Sequence, residues 1–459
     1  MCAKRLVIDP VSRIEGHLRV DLELDGGRVQ QALSSGTSFR GFEPILVGRD
    51  PRDAPQITQR ICGVCPVPHA TASCLALEEA WGVEVNVQAR AIRNLIGGAN
   101  FLDSHLIHFF VMTLPDFVSG MPTAGGWPQG VSPAAFRGGG SLDVQRMANH
   151  VREALGVRRR CHSLAAILGG KLPHTVGVLP GGAGRQVTAE DITGIREILV
   201  EAQAFINDAY AREVEDLAAA FPEYETIGEA GVDFMSFGAF PGADGERFFP
   251  RGVYRRSTSG VEPLDPSAIT ESVASSRFAQ EPPAHPSQGT TEPELSKDDA
   301  YTWVKAPRLE GVPCEVGPLA REWVKSGGGG ATGVMARHLA RHREASALVE
   351  AMLGWVEDLA PGADACPVFP NGQDDGEGVG LTEAPRGALG HWVQTQAGSI
   401  VRYAVISPTT WNGSPRDENG VPGPMEAAME GTPVASQEDP IEVMRVVQSF
   451  HPCVQCAVH

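Results

Sequence analysis

The residues best suited to chemistry are two CxxC pairs at opposite ends of a 459-residue chain. Cys62-Gly63-Val64-Cys65 stands near the start and Cys453-Val454-Gln455-Cys456 near the finish, with His459 as the last residue. Four thiolates brought together make a soft, electron-rich metal site. Thiolate favours Zn, Cu(I), iron–sulfur clusters and other soft or borderline metals, whereas oxygen ligands favour Mg and Ca. A zinc ribbon separates its pairs by roughly 15–20 residues and folds locally around the metal; here nearly the whole chain lies between them. Such a site is not a local staple. At this level two readings stand side by side. Either the pairs meet at one metal, or they are unconnected, one a redox CxxC and the other a chain end. Four sulfurs alone do not name the metal.

Ordered blocks surround the pairs. Asp9-Pro10-Val11-Ser12-Arg13-Ile14-Glu15-Gly16-His17 is followed by Phe39-Arg40-Gly41-Phe42-Glu43, then by Arg60-Ile61 ahead of Cys62, with His69 beyond Cys65. Farther on come Lys305-Ala306-Pro307-Arg308, Glu315-Val316-Gly317-Pro318-Leu319-Ala320-Arg321, Glu383-Ala384-Pro385-Arg386-Gly387, Pro408-Thr409-Thr410-Trp411-Asn412, and His451-Pro452 ahead of Cys453. In this order the chain closely resembles the large, catalytic subunit of [NiFe]-hydrogenases, from about Asp9 to His459.

The resemblance implies a Ni-Fe(CN)2(CO) centre and the reaction H2 ⇌ 2 H+ + 2 e−. By it, Cys62, Cys65, Cys453 and Cys456 bind nickel, and Cys65 and Cys456 also bridge to the iron that carries CO and two cyanides. Heterolysis of H2 needs a metal that takes up hydride and a base that takes the proton; the implied first base is Cys453. Arg386, after Pro385 in the cofactor pocket, is implied to donate to a cyanide and hold a fixed positive charge over the metals. Thr409 is the matching hydroxyl donor. Glu15 fits the proton-gate glutamate of the family, and a carboxyl beside an apolar pocket has its pKa raised, as a proton relay requires. His69 is expected to hydrogen-bond a thiolate rather than to ligate metal. Glu43, the main-chain carbonyl of Val405 and His459 are implied to hold Mg2+ with waters completing the octahedron, which would also tie down the chain end. Family precursors carry a C-terminal extension that a maturation protease removes after metal-insertion proteins have loaded nickel; a chain ending at His459 resembles the processed form, as would a gene that stops there.

Two positions depart from the family pattern. His451 stands where an Asp commonly precedes the terminal Pro-Cys, and Ser104, after Asp103, stands where another acid precedes His105-Leu106-Ile107-His108-Phe109. His451 is expected to titrate near the operating pH.

No further cysteine cluster is available to carry electrons away, so an iron–sulfur small subunit is the expected partner, in a heterodimer or a dimer of heterodimers. The resemblance favours the uptake direction. Rival readings are an H2 sensor of low turnover, a relative of the quinone-site subunit of respiratory complex I, which lacks the cysteine set, and a zinc-stabilised scaffold. A formal net charge of −18 argues against nucleic acid and anionic lipid surfaces. The nine cysteines, an odd number in a long chain, do not suggest a secreted disulfide framework. Cys2, Cys74, Cys161, Cys314 and Cys366 match no ligand motif and read as small hydrophobes. Leu102 to Val118, the best candidate for a membrane span, carries Asp103, His105, His108, Pro115 and Asp116. No direct membrane span is expected. The start is too short and too soon acidic for a signal peptide, and the resemblance allows periplasmic export on a signal borne by the small subunit.

The elements that must position these groups follow from periodicity. Leu18 to Leu24 alternates apolar and charged residues before Asp25-Gly26-Gly27, the pattern of a half-buried strand and hairpin, so a small antiparallel sheet is expected within about residues 1–50. Ile192, Ile195, Leu199, Ala202, Ile206 and Ala209 recur at helical spacing, with Thr188 as cap and Pro222 as stop. Similar helical stretches cover Ala89 to Met112, Ser141 to Leu168 and Val334 to Leu359. The stretch 242–293 is rich in Pro, Ser, Glu and Gly and reads as a long irregular excursion. Gly328-Gly329-Gly330-Ala331-Thr332-Gly333 satisfies GxGxxG but lacks the preceding strand of a dinucleotide site. The expected fold is α+β and predominantly helical, one large catalytic domain over residues 1–459 with its metal site built by both chain ends.

Overall fold

The computed structural model of the protein describes residues 4–118, 142–279, 281–366, 375–436 and 439–459. Helix accounts for 44% of the residues, which makes the fold predominantly helical with small antiparallel sheets, as expected. The N-terminal sheet is present. Lys4–Ile8, Leu18–Asp25 and Arg28–Gly36 form three antiparallel strands, with Lys4 opposite Leu24 and Leu18 opposite Gly36. Leu18, Val20, Leu22 and Leu24 are buried while the residues between them are not, so the alternation in the sequence is the inside and outside of this sheet. Gly26 and Gly27 both have positive φ, the backbone that a two-residue hairpin loop demands.

The helical stretches lie close to their expected places. Val87–Ile107 continues through a π-helical turn at His108–Thr113, and Val144–Gly169 and Val334–Glu357 pack against it; Ser141 and Cys2 lie outside the described residues. Ala189–Phe205 is capped as predicted: Asp191 N–H donates to Thr188 Oγ1 at 3.1 Å, and Thr188 N–H donates to Asp191 Oδ2 at 2.9 Å. The run extends through Ile206–Tyr210 into Ala211–Ala220, and Pro222 follows its end. Val87–Phe117 is long and apolar enough by composition to cross a membrane, a property that a buried core helix shares. Mean hydropathy tolerates its few polar residues. It is mostly buried inside the protein, with Phe101, Leu102, Leu106, Phe109 and Phe110 in the central core.

A second three-stranded sheet was not foreseen. Gly376–Ala384, Gly387–Gln396 and Ser399–Ile406 run antiparallel and lie on the helix Pro66–Trp81. The contact is backbone on backbone. Gly376, Gly378 and Gly380 point at the carbonyl oxygens of Ala80, Ala76 and Ala72, and an added Cβ would collide with each. Glycine every second residue on the strand thus meets alanine every fourth residue on the helix. Because Cys65 caps that helix and Arg386 follows the strand, this seam fixes one relative to the other. The stretch 242–293, expected to be irregular, carries four short strands, Arg247–Phe249, Gly252–Arg255, Gly260–Glu262 and Ile269–Ser272. Gly252–Arg255 pairs with Asp233–Ser236 and Gly260–Glu262. At three or four residues each, they are too short to show a period.

Candidate metal centre

The two CxxC pairs meet. Cys62 follows the 3-10 turn Gln59–Ile61, and Cys65 caps Pro66–Trp81, where proline at the first helical position fits a site with no hydrogen-bond partner to lose. Cys453 precedes the short helix Val454–Ala457, which contains Cys456. Sγ of Cys62 lies 3.4 Å from that of Cys453, Cys65 lies 3.3 Å from Cys456, and Cys453 lies 3.1 Å from Cys456. All four ligand atoms fall within 4.8 Å of one another, and all four residues are buried. The first pair is shaped by its own turn: the N–H groups of Val64 and Cys65 donate to Cys62 Sγ at 3.3 and 3.2 Å.

The electrostatics show what such a cluster needs. Burial raises the Cys62 thiol, but hydrogen bonds from Cys453, Cys456 and Cys65, and then the charge of Arg386, overcome this and hold it well below the usual thiol range. The hydrogen bond with Cys453 foremost, with burial and the Cys62 charge, pushes Cys65 well up; burial, then Cys453 and Cys62, does the same to Cys456. One anion suppresses its neighbours, so four thiolates in this space call for a metal cation. The donor set suits nickel and iron.

Arg386 lies close to the cluster. Burial lowers its pKa, yet Cys453, Cys65, Cys62 and Cys456, in that order, raise it overall, which places the guanidinium in the field of all four sulfurs. Its Nε donates to the carbonyl of His451 at 3.0 Å and its Nη2 to His451 Nε2 at 2.6 Å, while the buried Nη1 has no partner among the described residues. A buried, unpaired guanidinium nitrogen beside the cluster fits a ligand that accepts hydrogen bonds. Pro385 holds the turn through its carbonyl, which accepts from Arg321 Nη2 at 3.1 Å. Thr409 Oγ1 accepts the Cys453 N–H at 2.8 Å, leaving its hydroxyl proton free to be donated elsewhere.

Glu15 lies beside the centre. It is half-buried, forms a bridge with Cys453, and its carboxyl is raised by burial and then by the Cys62 charge, with Arg386 opposing. His69 differs from expectation: among the described residues no hydrogen bond joins it to a cysteine. Its Nδ1 pairs with His391 Nε2 at 3.1 Å, His391 Nδ1 pairs with the Tyr403 hydroxyl at 2.8 Å, and the buried His69 Nε2 has no partner among the described residues. Burial holds the His69 imidazole down to about 3, so it stays neutral. His451 also differs. Burial, then Arg386 and His108, lowers it well below the ordinary histidine value, so it does not titrate near neutral pH.

The second expected ion site gathers Glu43, Val405 and His459. His459 Nε2 lies 3.4 Å from Glu43 Oε1, and its Nδ1 donates to the Cys456 carbonyl at 2.6 Å. Val405 approaches Glu43 through its N–H, 2.8 Å from Oε1, rather than through its carbonyl. Burial raises the Glu43 carboxyl, but Lys305, His459 and Thr291 overcome it and hold Glu43 well below the usual range. Lys305 Nζ lies 3.8 Å from Glu43 and 3.6 Å from Glu271, whose buried Oε1 is unpaired among the described residues. Two carboxylates and an imidazole with a spare oxygen suit a small hard cation.

Sequence reasoning missed Glu271, His391 and the buried ion pairs of Arg321 with Glu344 and Glu383. Arg321, Glu383 and Lys305 all lie inside the ordered blocks, so their signal was present; Glu271 and His391 stand on strands that were not foreseen. Cys74, Cys161 and Cys314 are buried thiols pushed up by burial, Cys314 to about 12, in keeping with a structural role.

The model of the nickel-dependent hydrogenase family matches residues 40–129, 142–332 and 329–459, and a HoxL-like model matches residues 5–39. The large subunit of the periplasmic [NiFeSe] hydrogenase of Desulfomicrobium baculatum is 37% identical over 489 residues, 99% of this chain and 95% of that protein. The hydrogenase-2 large chain of Escherichia coli is 33% identical over 100% of this chain and 97% of its own length. The reduced Ni-Fe-Se hydrogenase of D. vulgaris Hildenborough superposes with a TM-score of 0.95 at 38% identity, each chain covered in full. A large subunit works with a small-subunit partner. This chain belongs to the nickel-dependent hydrogenases and is a large, catalytic subunit of the [NiFe] type.

Proposed function

We propose that the chain catalyses reversible heterolytic oxidation of H2, with uptake as the direction its family resemblance favours, and passes the electrons to an iron–sulfur small subunit. The observation that carries the reading is the meeting of four buried cysteine sulfurs from both chain ends in the field of Arg386. Cys62, Cys65, Cys453 and Cys456 would hold the metals. When bound, the Ni-Fe(CN)2(CO) centre supplies the hydride acceptor and the electron sink. This chain carries cysteine at all four positions.

The side chains divide the remaining work. Cys453 takes the first proton, and Glu15, bridged to the same residue, carries it outward. Arg386 Nη1 and the Thr409 hydroxyl would donate to cyanide ligands of the bound centre, and the unpaired Nε2 of His69 would be free to orient the thiolate side. Glu43 and His459 would hold Mg2+, with Lys305 and Glu271 around it, which would tie the last residues to the centre. The whole chain acts as a single catalytic domain.

Metal analysis and infrared spectroscopy of the purified complex test the reading. Nickel, with iron in excess of it because the small subunit adds its clusters, and bands from bound CO and cyanide are expected. Zinc alone without such bands overturns it.

A further inference from the structure

We propose that His451 is a positioning residue: its main-chain carbonyl and ring Nε2 together clamp one edge of the Arg386 guanidinium, leaving the remaining donors and the full positive charge to the four cysteine sulfurs. The inference rests on the hydrogenase reading above.

Arginine only donates. With Arg386 Nη2 at 2.6 Å, His451 Nε2 must be the unprotonated acceptor, and the ring proton sits on Nδ1. The ring is therefore a neutral partner. The second bond, from Arg386 Nε to the His451 carbonyl at 3.0 Å, uses the neighbouring donor of the planar fork. One residue thus meets two donors, and its backbone is bent to do so: His451 has a φ of 53, in the left-handed region that side-chain-bearing residues seldom occupy. Its N–H donates to the Gln448 carbonyl at 2.9 Å, which holds that bend.

The ring is supported from behind. His108 stacks on it with centroids 4.0 Å apart and planes 26° apart, and His338 stacks on His108 at 5.6 Å and 25°. His108 is fixed in turn by its Nε2, 2.8 Å from the Gln448 carbonyl, and it opens the π-helical turn His108–Thr113, a local distortion often found at functional sites. No carboxylate forms an ion pair with Arg386 among the described residues. Glu15 feels its charge from beyond ion-pair distance. A neutral clamp orients the guanidinium without cancelling it, whereas an acid in the same place would draw off much of its field.

The test compares His451→Gln, His451→Glu and His451→Leu in the purified complex, reading nickel and iron content together with the CO and cyanide infrared bands. Gln and Glu are nearly isosteric, so that pair separates charge from geometry even where the Leu variant does not assemble. Gln keeps a neutral acceptor and should leave the bands within their wild-type widths. Glu should move the cyanide bands by more than those widths, and Leu, where it assembles, should displace or split them. Bands in the Glu variant superimposable on wild type, or a Gln variant displaced as far as the Glu variant, overturn the clamp. Absence of the bands from the wild-type protein overturns the hydrogenase reading instead.

Discussion

Glu15 and Cys453 face one another in an isolated parallel β-bridge, and the Glu15 carbonyl accepts the Val454 N–H at 2.7 Å. The contact ties the N-terminal segment to the last CxxC and sets the Glu15 carboxyl beside the centre. Gly16 permits it: its φ is +89, and a Cβ there would stand 2.8 Å from the Gln455 nitrogen. A half-buried carboxyl raised by burial and by the Cys62 charge is suited to accept a proton from inside and release it outside.

Glu15→Gln should therefore keep the metals and the infrared bands but lower H2 oxidation by about 10²–10⁴-fold, the usual contribution of a positioned acid or base. Glu15→Asp should recover part of the rate. Wild-type turnover in the Gln variant would remove Glu15 from the proton path.

Thr409→Val preserves shape but removes the oxygen that accepts the Cys453 N–H at 2.8 Å. A buried donor left unpaired costs about 1–3 kcal/mol. The melting temperature of the complex should fall for Val and hold for Ser. Equal melting temperatures for Val, Ser and wild type would show that this hydrogen bond does not help seat the terminal motif.

Gly378→Ala probes the seam between the strand Gly376–Ala384 and the helix Pro66–Trp81. The new methyl meets the Ala76 carbonyl oxygen, which belongs to helix backbone and has little room to yield. Overpacking of this kind costs about 1–3 kcal/mol. Because the seam also places Cys65 against Arg386, nickel occupancy should fall along with thermal stability. Gly354→Ala, inside the helix Val334–Glu357 where the added Cβ meets nothing within 4 Å, is the control: it should leave nickel occupancy unchanged and hold or slightly raise the melting temperature.

The legibility of these features follows from how each is encoded. The hairpin at Gly26-Gly27 and the helix capped by Thr188 could be read because local period and turn chemistry agreed with the final packing. The sheet Gly376–Ala384, Gly387–Gln396 and Ser399–Ile406 was opaque because its first strand replaces the expected apolar face with glycines, whose role depends on alanines some three hundred residues earlier. Among site residues, the four cysteines stood out by type. His391 and Glu271 did not, since an isolated His or Glu has no period and acquires a partner only through tertiary contact. The neutral state of His451 was likewise hidden, because it depends on Arg386, a donor far away in sequence.

Glu344 carries the clearest pH signature. Burial raises its carboxyl, but Arg321, donating through Nε and Nη2 at 2.7 Å each, and His105, 2.9 Å away, hold it down to about 2. A carboxyl whose folded pKa lies below its ordinary 4.5 stabilises fully above that value and loses the contribution as pH falls toward the folded pKa. The span corresponds to about 3 kcal/mol at most. Glu344→Gln should therefore lower the melting temperature at neutral pH and flatten its decline between about pH 5 and about pH 3. Thermal scans across that range check the sign: a variant that loses stability toward acid as steeply as wild type would assign the acid limb to other carboxylates, Glu43 first among them, since it too is held below the usual range.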